Sequence, residues 1–520
     1  MFAECEAVSG FHGIERDAQG AFVWSQGRFR LRVRRPARFA QFQLCYYGEA
    51  GTLGVRSPHG EMDRVKLCDG WHTCVVKLGE VAEGDTIEVE VDPPLHVEGD
   101  SRELGVMIRE LELFDDPRRY EINVLRGSNL RLNHQEYMQG APVLASLAPQ
   151  LRITMEVRCN IPETSQACVY CAWDWAKGAE RGAPAFSFDT LAQLGEIYHC
   201  ASEVVDCSYG EPAMHRDFGR IVAQFDTDGK QFSFTSNGQL LGAKRRGEVL
   251  GKNAYLYVSL DSATAEGYAR YRNDRFEDII TNLRALCREK KSADNLPRVI
   301  VSFIVMRSNV DEIAPFIALM REIGVDEVKF RALFLDNNIA PVTLNGGYRF
   351  DYAEEVVSQE ALTALSPSIR QSAAESEMPV YLEWDQLPES VHIPGGPLCS
   401  EPWKTLYLLS RGIMPCCYAT EPLVSWNEQA GRPLEAFLKD VFNSPAYQEI
   451  RAALASGRLA DYCLHTPSCP ILKQMQQNGL DAGALNTFQK RSLSLPREDE
   501  PCSLPLVPLE ALQREARRSA

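Results

Sequence analysis

Three thiols stand within thirteen residues in the stretch "CNIPETSQACVYC", at Cys159, Cys168 and Cys171. A thiolate is a soft ligand for zinc or for an iron–sulfur cluster. Two residues separate Cys168 from Cys171, a spacing that lets both sulfurs face one metal centre. Three thiolates fall one short of a closed zinc or iron–sulfur site. They leave an open coordination position, which a substrate or cofactor can fill. On the loop alone, a zinc site and three unrelated thiols stay open as alternatives.

The elements around this loop place it. From about residue 148 strands alternate with helices. "LRITMEVR" reads as a first strand running to Val157 and Arg158, so that Cys159 stands at its carboxyl end. "DTLAQLGEIYHC" reads as an amphipathic helix opened by Asp189, and "ASEVVDCSYGEP" ends a second strand. "KQFSFTSNG", "AYLYVSLDS", "PRVIVSFIVM" and "VDEVKFRAL" complete six strands. "FEDIITNLRALCREK" and "VDEIAPFIALMREIG" are helices among them. Such alternation predicts parallel β/α units with right-handed crossovers. Ligands in these folds sit at the carboxyl ends of the strands.

In that light the loop resembles the radical SAM superfamily, in which three cysteines after the first strand hold a [4Fe–4S] cluster. The amino and carboxylate groups of S-adenosylmethionine bind its fourth iron. The family spacing is three residues and then two. Here eight residues separate the first pair of cysteines, a five-residue expansion. Tyr170 matches the aromatic that commonly precedes the last cysteine. The turn Gly210, Glu211, Pro212 corresponds to the family's contact with the methionine ammonium. Asn237, in "TSNG", matches a polar turn after the third strand. Ser259, Asp261 and Arg272, in "VSLDSATAEGYARYR", match a segment that holds the ribose and the carboxylate. The fold implied is α/β, a (β/α)6 partial TIM barrel.

A second group, Cys399, Cys416, Cys417, Cys463 and Cys469, brackets "CSEPWKTLYLLSRGIMPCCY" and "DYCLHTPSC". It resembles the SPASM or twitch extension of radical SAM enzymes. That resemblance implies one auxiliary [4Fe–4S] cluster held by Cys399, Cys417, Cys463 and Cys469, with Cys416 spare and able to exchange with Cys417. A structural zinc site would use the same ligands.

Residues 1–118 read as a β-sandwich: "RFRLRVRR" and "TIEVEVD" alternate apolar and charged positions, and "GVMIRELELF" carries a phase slip that predicts a bulge. The module resembles lectin-like, carbohydrate-binding domains. Trp24, Tyr46, Tyr47 and Trp71 could stack on sugars or fill the core. Residues 119–147 read as a polar linker, 148–340 as the barrel, 341–395 as a bridging segment, 396–475 as the auxiliary-cluster domain and 476–520 as a tail.

The chain has 520 residues, room for about two to four domains. Its net charge of −16 disfavours nucleic acid and anionic membrane as partners. "MFAECEAVSGFHGIERD" lacks the basic and apolar pattern of a signal peptide. A cytoplasmic location is therefore expected, where its 16 cysteines serve metal or redox chemistry better than disulfides.

The resemblance implies cleavage of S-adenosylmethionine to a 5′-deoxyadenosyl radical that abstracts a hydrogen atom. A glycan or sugar-bearing substrate, epimerised at a carbon in polysaccharide biosynthesis, is the leading expectation. Cys207 is then the candidate hydrogen donor, and a flavodoxin- or ferredoxin-type protein the electron donor. The alternatives are a peptide-modifying maturase, a small-molecule radical dehydrogenase, and a non-catalytic zinc scaffold.

Overall fold

A computed structural model describes residues 4–472 except 18–19, 49–50, 61, 68–69, 97–99, 160–167, 169–185, 209, 291–295, 334–341, 344–348, 386–395, 411, 417–421, 430, 467–468 and 470. The predicted Tyr170, Cys171 and Cys417 and the 476–520 tail lie outside the described residues. The chain divides into two compact units, Met1–His134 and Gln135–Ala520.

The first unit is β up to Phe114, as its alternating pattern predicts. Its strands are β1 (Cys5–Asp17), β2 (Gly20–Val33), β3 (Ala37–Tyr46), β4 (Gly51–Arg56), β5 (Asp63–Leu67), β6 (Gly70–Val81), β7 (Thr86–Asp92) and β8 (Met107–Phe114). They join in one antiparallel ladder in the order β5-β4-β7-β2-β8-β3-β6, with β1 on β2. Lys77 on β6 donates its amide to Asp63 on β5 (2.7 Å), so the two ends of the ladder meet. The sheet wraps one core that includes Leu31, Phe42, Leu53, Val76, Val89 and Leu113. The expected bulge is present: Gln43 faces Glu110 while the next residue, Leu44, faces Ile108, so Arg109 is the extra residue on β8.

The 119–147 linker needs correction, because most of it is a helix, Pro117–Met138. Pro117 occupies the first turn, and Asp116 accepts the Arg118 amide (2.9 Å). Asn123, Arg126, Asn129, Asn133 and Glu136 form its buried stripe, while Val124, Leu125 and Leu132 are exposed. A helix that buries its polar face gives no apolar periodicity to read.

The second unit holds a ten-stranded sheet, ordered β17-β14-β13-β12-β11-β10-β9-β18-β19-β20. The six expected strands are β9 (Gln150–Ile153), β10 (Glu203–Asp206), β11 (Gln231–Ser236), β12 (Ala254–Ser259), β13 (Arg298–Val305) and β14 (Glu327–Ala332), all parallel. A short hairpin, β15 (Val342–Thr343) and β16 (Arg349–Phe350), follows. The 341–395 segment is more than a bridge: it contributes the helix Gln359–Glu375 and β17 (Val380–Leu382), which pairs in parallel with β14. The cysteine-rich segment also joins this sheet. Its β18 (Thr405–Leu409) pairs in parallel with β9, then turns back through β19 (Gly412–Met414) and β20 (Val424–Ser425). The result is a mixed α/β fold around a barrel-like sheet with eight parallel strands.

Burial alternates along these strands. On β12, Ala254, Leu256 and Val258 are buried under helices, whereas Tyr255, Tyr257 and Ser259 on the concave face are half-buried. Helix Phe276–Lys290 covers the convex face with Ile279, Ile280, Leu283 and Leu286. The helix expected over Asp189–Cys200 is two pieces, Thr190–Gln193 and Glu196–Cys200. Gly195 breaks it with φ of +52°, where a side chain would also strike the Glu435 carboxylate. Among the described residues no helix is long and apolar enough to cross a membrane.

Candidate functional site

The first strand is shorter than its apolar run suggests. Pairing with β10 ends near Ile153, and residues 154–159 run on as irregular backbone toward Cys159. Side chains replace the lost ladder. Asp206 Oδ1 accepts the Met155 amide (3.0 Å), and Ser208 Oγ accepts the Glu156 amide (2.8 Å). Glu156, 1% exposed, accepts the amides of Val157 and Arg158 and pairs with the Arg158 guanidinium (2.7 Å). Sequence reading missed Asp206 and Glu156; their signal was a carboxylate set among apolar strand positions.

Gly210 lies against this segment. Its amide donates to Glu156 O (3.3 Å), and a Cβ there would stand 2.3 Å from Arg158 O. Only glycine permits that approach. Glu211 is buried and ties the end of β10 to the end of β11. It accepts from the Ala213 amide (3.1 Å), Ser236 Oγ (2.9 Å) and the Asn237 amide (2.7 Å). Burial raises its pKa to about 6 despite those bonds. Burial likewise raises Asp206 to about 7. Pro212 opens a buried 3-10 turn, and Asn237 Oδ1 accepts the Gln239 amide (3.0 Å).

At the end of β12 the predicted residues form a connected set. Arg272 is not on the helix Ala265–Tyr271 but caps it. Its Nε donates to Asp261 Oδ2 (2.6 Å), and its Nη1 donates to Cys168 Sγ (3.2 Å). The Asp261 and Arg272 side chains are 1% and 6% exposed. Asp261 Oδ1 accepts the Ile304 amide (2.8 Å), linking β12 to β13. Asp261 therefore holds Arg272, and Arg272 reaches the cysteine loop. A guanidinium aimed at a sulfur complements a thiolate ligand, so the site fits an anionic cluster there. Cys159 and Cys168 are both partly buried. The Ser259 hydroxyl, half-buried on the concave face, meets no hydrogen-bond partner among the described residues.

Cys207 lies one residue beyond β10 and packs against Tyr407, Leu409 and Met414. In the C-terminal segment, Cys399, Cys416, Cys463 and Cys469 are all partly buried. Burial pushes the Cys399 thiol well up, with Glu401, Cys416 and Cys469 adding to the rise. Burial, then Cys469, raises Cys463 to about 11. The Cys416 and Cys469 thiols are thus within electrostatic reach of Cys399, and Cys469 within reach of Cys463. Among the described residues, however, no three His, Cys, Asp or Glu side chains stand close enough to hold a metal ion.

In the first unit Tyr46 is core, its hydroxyl donating to Pro93 O (3.0 Å). Trp24 is 8% exposed and Tyr47 58%, with ring centroids 6.1 Å apart. The Trp71 side chain lies outside the described residues.

No family model matches the chain. A probable GTP 3′,8-cyclase of Saccharolobus islandicus (strain Y.N.15.51 / Yellowstone #2) is 27% identical over 181 residues, 34% of this chain and 54% of that protein. The GTP 3′,8-cyclase of Vibrio cholerae serotype O1 is 31% identical over 141 residues, 26% of this chain and 40% of that protein. The chain thus spans about half the length, or less, of the curated relatives it matches. The structure of SuiB from Streptococcus suis bound to the precursor peptide SuiA covers 66% of this chain and 74% of that one. Its identity is 14% and its TM-score 0.44, values that carry no functional argument.

The relatives support the radical SAM superfamily, a class of enzymes, for the matched stretch. A [4Fe–4S] cluster and S-adenosylmethionine are the supported cofactors.

Proposed function

We propose that this chain is a radical SAM enzyme whose cluster is held by Cys159, Cys168 and Cys171. The observation that carries the reading is the run Asp261–Arg272–Cys168, which joins two motifs 104 residues apart in sequence. When bound, the cluster and S-adenosylmethionine would supply a 5′-deoxyadenosyl radical for hydrogen abstraction. The chain's own residues do the positioning. Asp261 fixes the Arg272 guanidinium, which neutralises charge at the cysteine loop. Glu211 fixes the Asn237 turn, and Gly210 lets the β10 turn lie against the segment leading to Cys159. Ser259 offers a hydroxyl at the carboxyl end of β12. Cys399, Cys463 and Cys469, with Cys416 or Cys417, are the proposed auxiliary-cluster ligands, and a flavodoxin- or ferredoxin-type protein the reductant.

For the substrate, the peptide branch stands ahead of glycan epimerisation. An epimerase needs a second hydrogen donor, and the nominated thiol, Cys207, is engaged in packing with Tyr407, Leu409 and Met414. The concave face presents the Lys329 ammonium beside the rings of Tyr257 and Tyr381, with Arg298 and Arg331 paired to Glu327 and Glu383, rather than a platform of neutral donors. Charged groups of this kind complement peptide termini and side chains better than sugar hydroxyls.

Anaerobic reconstitution with iron and sulfide tests the proposal. The expected product with dithionite and S-adenosylmethionine is 5′-deoxyadenosine, lost in Cys159→Ala, Cys168→Ala and Cys171→Ala. Stoichiometric zinc with no 5′-deoxyadenosine would favour the scaffold reading instead.

A further inference from the structure

Registers across β12, β13, β14 and β17 place Ser259, Ser302, Lys329 and Tyr381 side by side in one row. The row lies on the concave face, opposite the helix-covered positions Val258, Val301, Val328 and Leu382. Lys329 is half-buried there. Its Nζ stands 5.0 Å from the ring centroid of Tyr381 and 5.9 Å from that of Tyr257.

The charges around it are already engaged. Glu327 pairs with Arg298 (2.6 Å), and Glu383 pairs with Arg331 (3.2 Å). Among the described residues no carboxylate oxygen lies within 4.0 Å of the ammonium. Burial lowers the Lys329 pKa and Arg331 adds to the lowering, against the pull of Glu383 and Glu327. A partly desolvated ammonium that lies beside two aromatic faces, with no carboxylate at ion-pair distance among the described residues, has donors to spare.

We propose that Lys329, held between Tyr257 and Tyr381, is an anion subsite on the concave face that takes a carboxylate of the substrate. One ammonium suits a monoanion. A phosphate dianion is better matched by several converging donors, and both neighbouring arginines are committed to glutamates. Adjacent strands lie about 4.8 Å apart, so the Lys329 strand is roughly 10 Å from the Ser259 strand. A carboxylate anchored at Lys329 leaves the next few bonds of its molecule facing Ser259. Only the naming of that anion as substrate rests on the radical SAM reading; the subsite itself does not.

The test is reductive ¹³C-methylation of the full chain, followed by NMR of the dimethyl-lysine signals at constant ionic strength. Lys329→Arg and Lys329→Met assign the Lys329 signal by its absence. The probes are N-acetylalanine, with a terminal carboxylate, N-acetylglutamate α-amide, with a side-chain carboxylate, and inorganic phosphate. A saturable shift of the Lys329 signal with either carboxylate is expected, and the stronger probe tells terminus from side chain. Binding of that probe, followed by calorimetry, should weaken about tenfold or more in Lys329→Met and persist in Lys329→Arg. If Lys329→Met fails to fold, Lys329→Gln takes its place in the binding comparison. No shift with either carboxylate, or a shift with phosphate alone, overturns the proposal. Absence of 5′-deoxyadenosine would sink the radical reading and leave this result standing.

Discussion

Replacing Asp261 by Asn should destabilise the second unit far more than a surface change would. The substitution keeps an oxygen for the Ile304 amide but strips Arg272 of its counter-charge. Both side chains are nearly inaccessible, so water cannot compensate the stranded guanidinium. At a charge separation of about 4 Å and an effective dielectric near 20, the pair interaction is ~4 kcal/mol. Breaking a buried pair on one side costs about 3–5 kcal/mol. Arg272→Met strands Asp261 and should cost a similar amount, whereas the double variant Asp261→Asn/Arg272→Met leaves neither charge. Its loss should fall short of the sum of the singles by ~2 kcal/mol or more. Urea unfolding under anaerobic, reducing conditions measures the cycle, with Trp403 and Trp426, both buried in this unit, as fluorescent probes. If each single variant costs less than about 1 kcal/mol and the losses add, Asp261 and Arg272 do not act as a desolvated unit. The account of how Cys168 acquires its cationic neighbour then fails.

Two more expectations follow, one from the barrel site and one from the C-terminal segment. Asp206 has a folded-state pKa near 7, above its unfolded value of about 4, so the folded state holds the extra proton between those limits. Its contribution to stability falls as pH rises through that window, by an amount of order 4 kcal/mol; Glu211, raised to about 6, acts with the same sign. Asp206→Asn cannot titrate and still accepts the Met155 amide, so urea midpoints at pH 5 and pH 8 should lie closer together than in the parent. Parallel pH profiles would show that Asp206 is not the group responsible. In the C-terminal segment, Cys399→Ser should lower the iron content of reconstituted protein, and one of Cys416→Ser and Cys417→Ser should lower it equally and so mark the fourth ligand. No loss of iron in any of the three would refute the auxiliary cluster.

Local pattern alone was enough for the six parallel strands, because each carries its own run of apolar residues and its own turn. It was not enough to nominate Gly210, Glu211, Asn237, Asp261 and Arg272, which were picked out by their resemblance to radical SAM motifs at successive strand ends. Their partners were not legible. Nothing in the string near Glu211 says that its carboxylate will meet Ser236 and the Asn237 amide, and nothing near Arg272 points to Asp261 and Cys168 together. Those bonds form only once neighbouring strands fix the distances between segments remote in sequence.

The helix Pro117–Met138 escaped notice because its buried stripe is polar, leaving no apolar period to detect. The chain by itself determined the alternation of strands and helices and the residue types available at each strand end. These depend on backbone propensity and side-chain hydrophobicity, which act over a few residues. Tertiary structure alone decided that β17 and β18 extend the same sheet, that Cys207 packs inward, and that Lys329 faces the concave side without a carboxylate partner among the described residues. Sheet register and charge pairing depend on segments tens to hundreds of residues apart, and no local period carries that information.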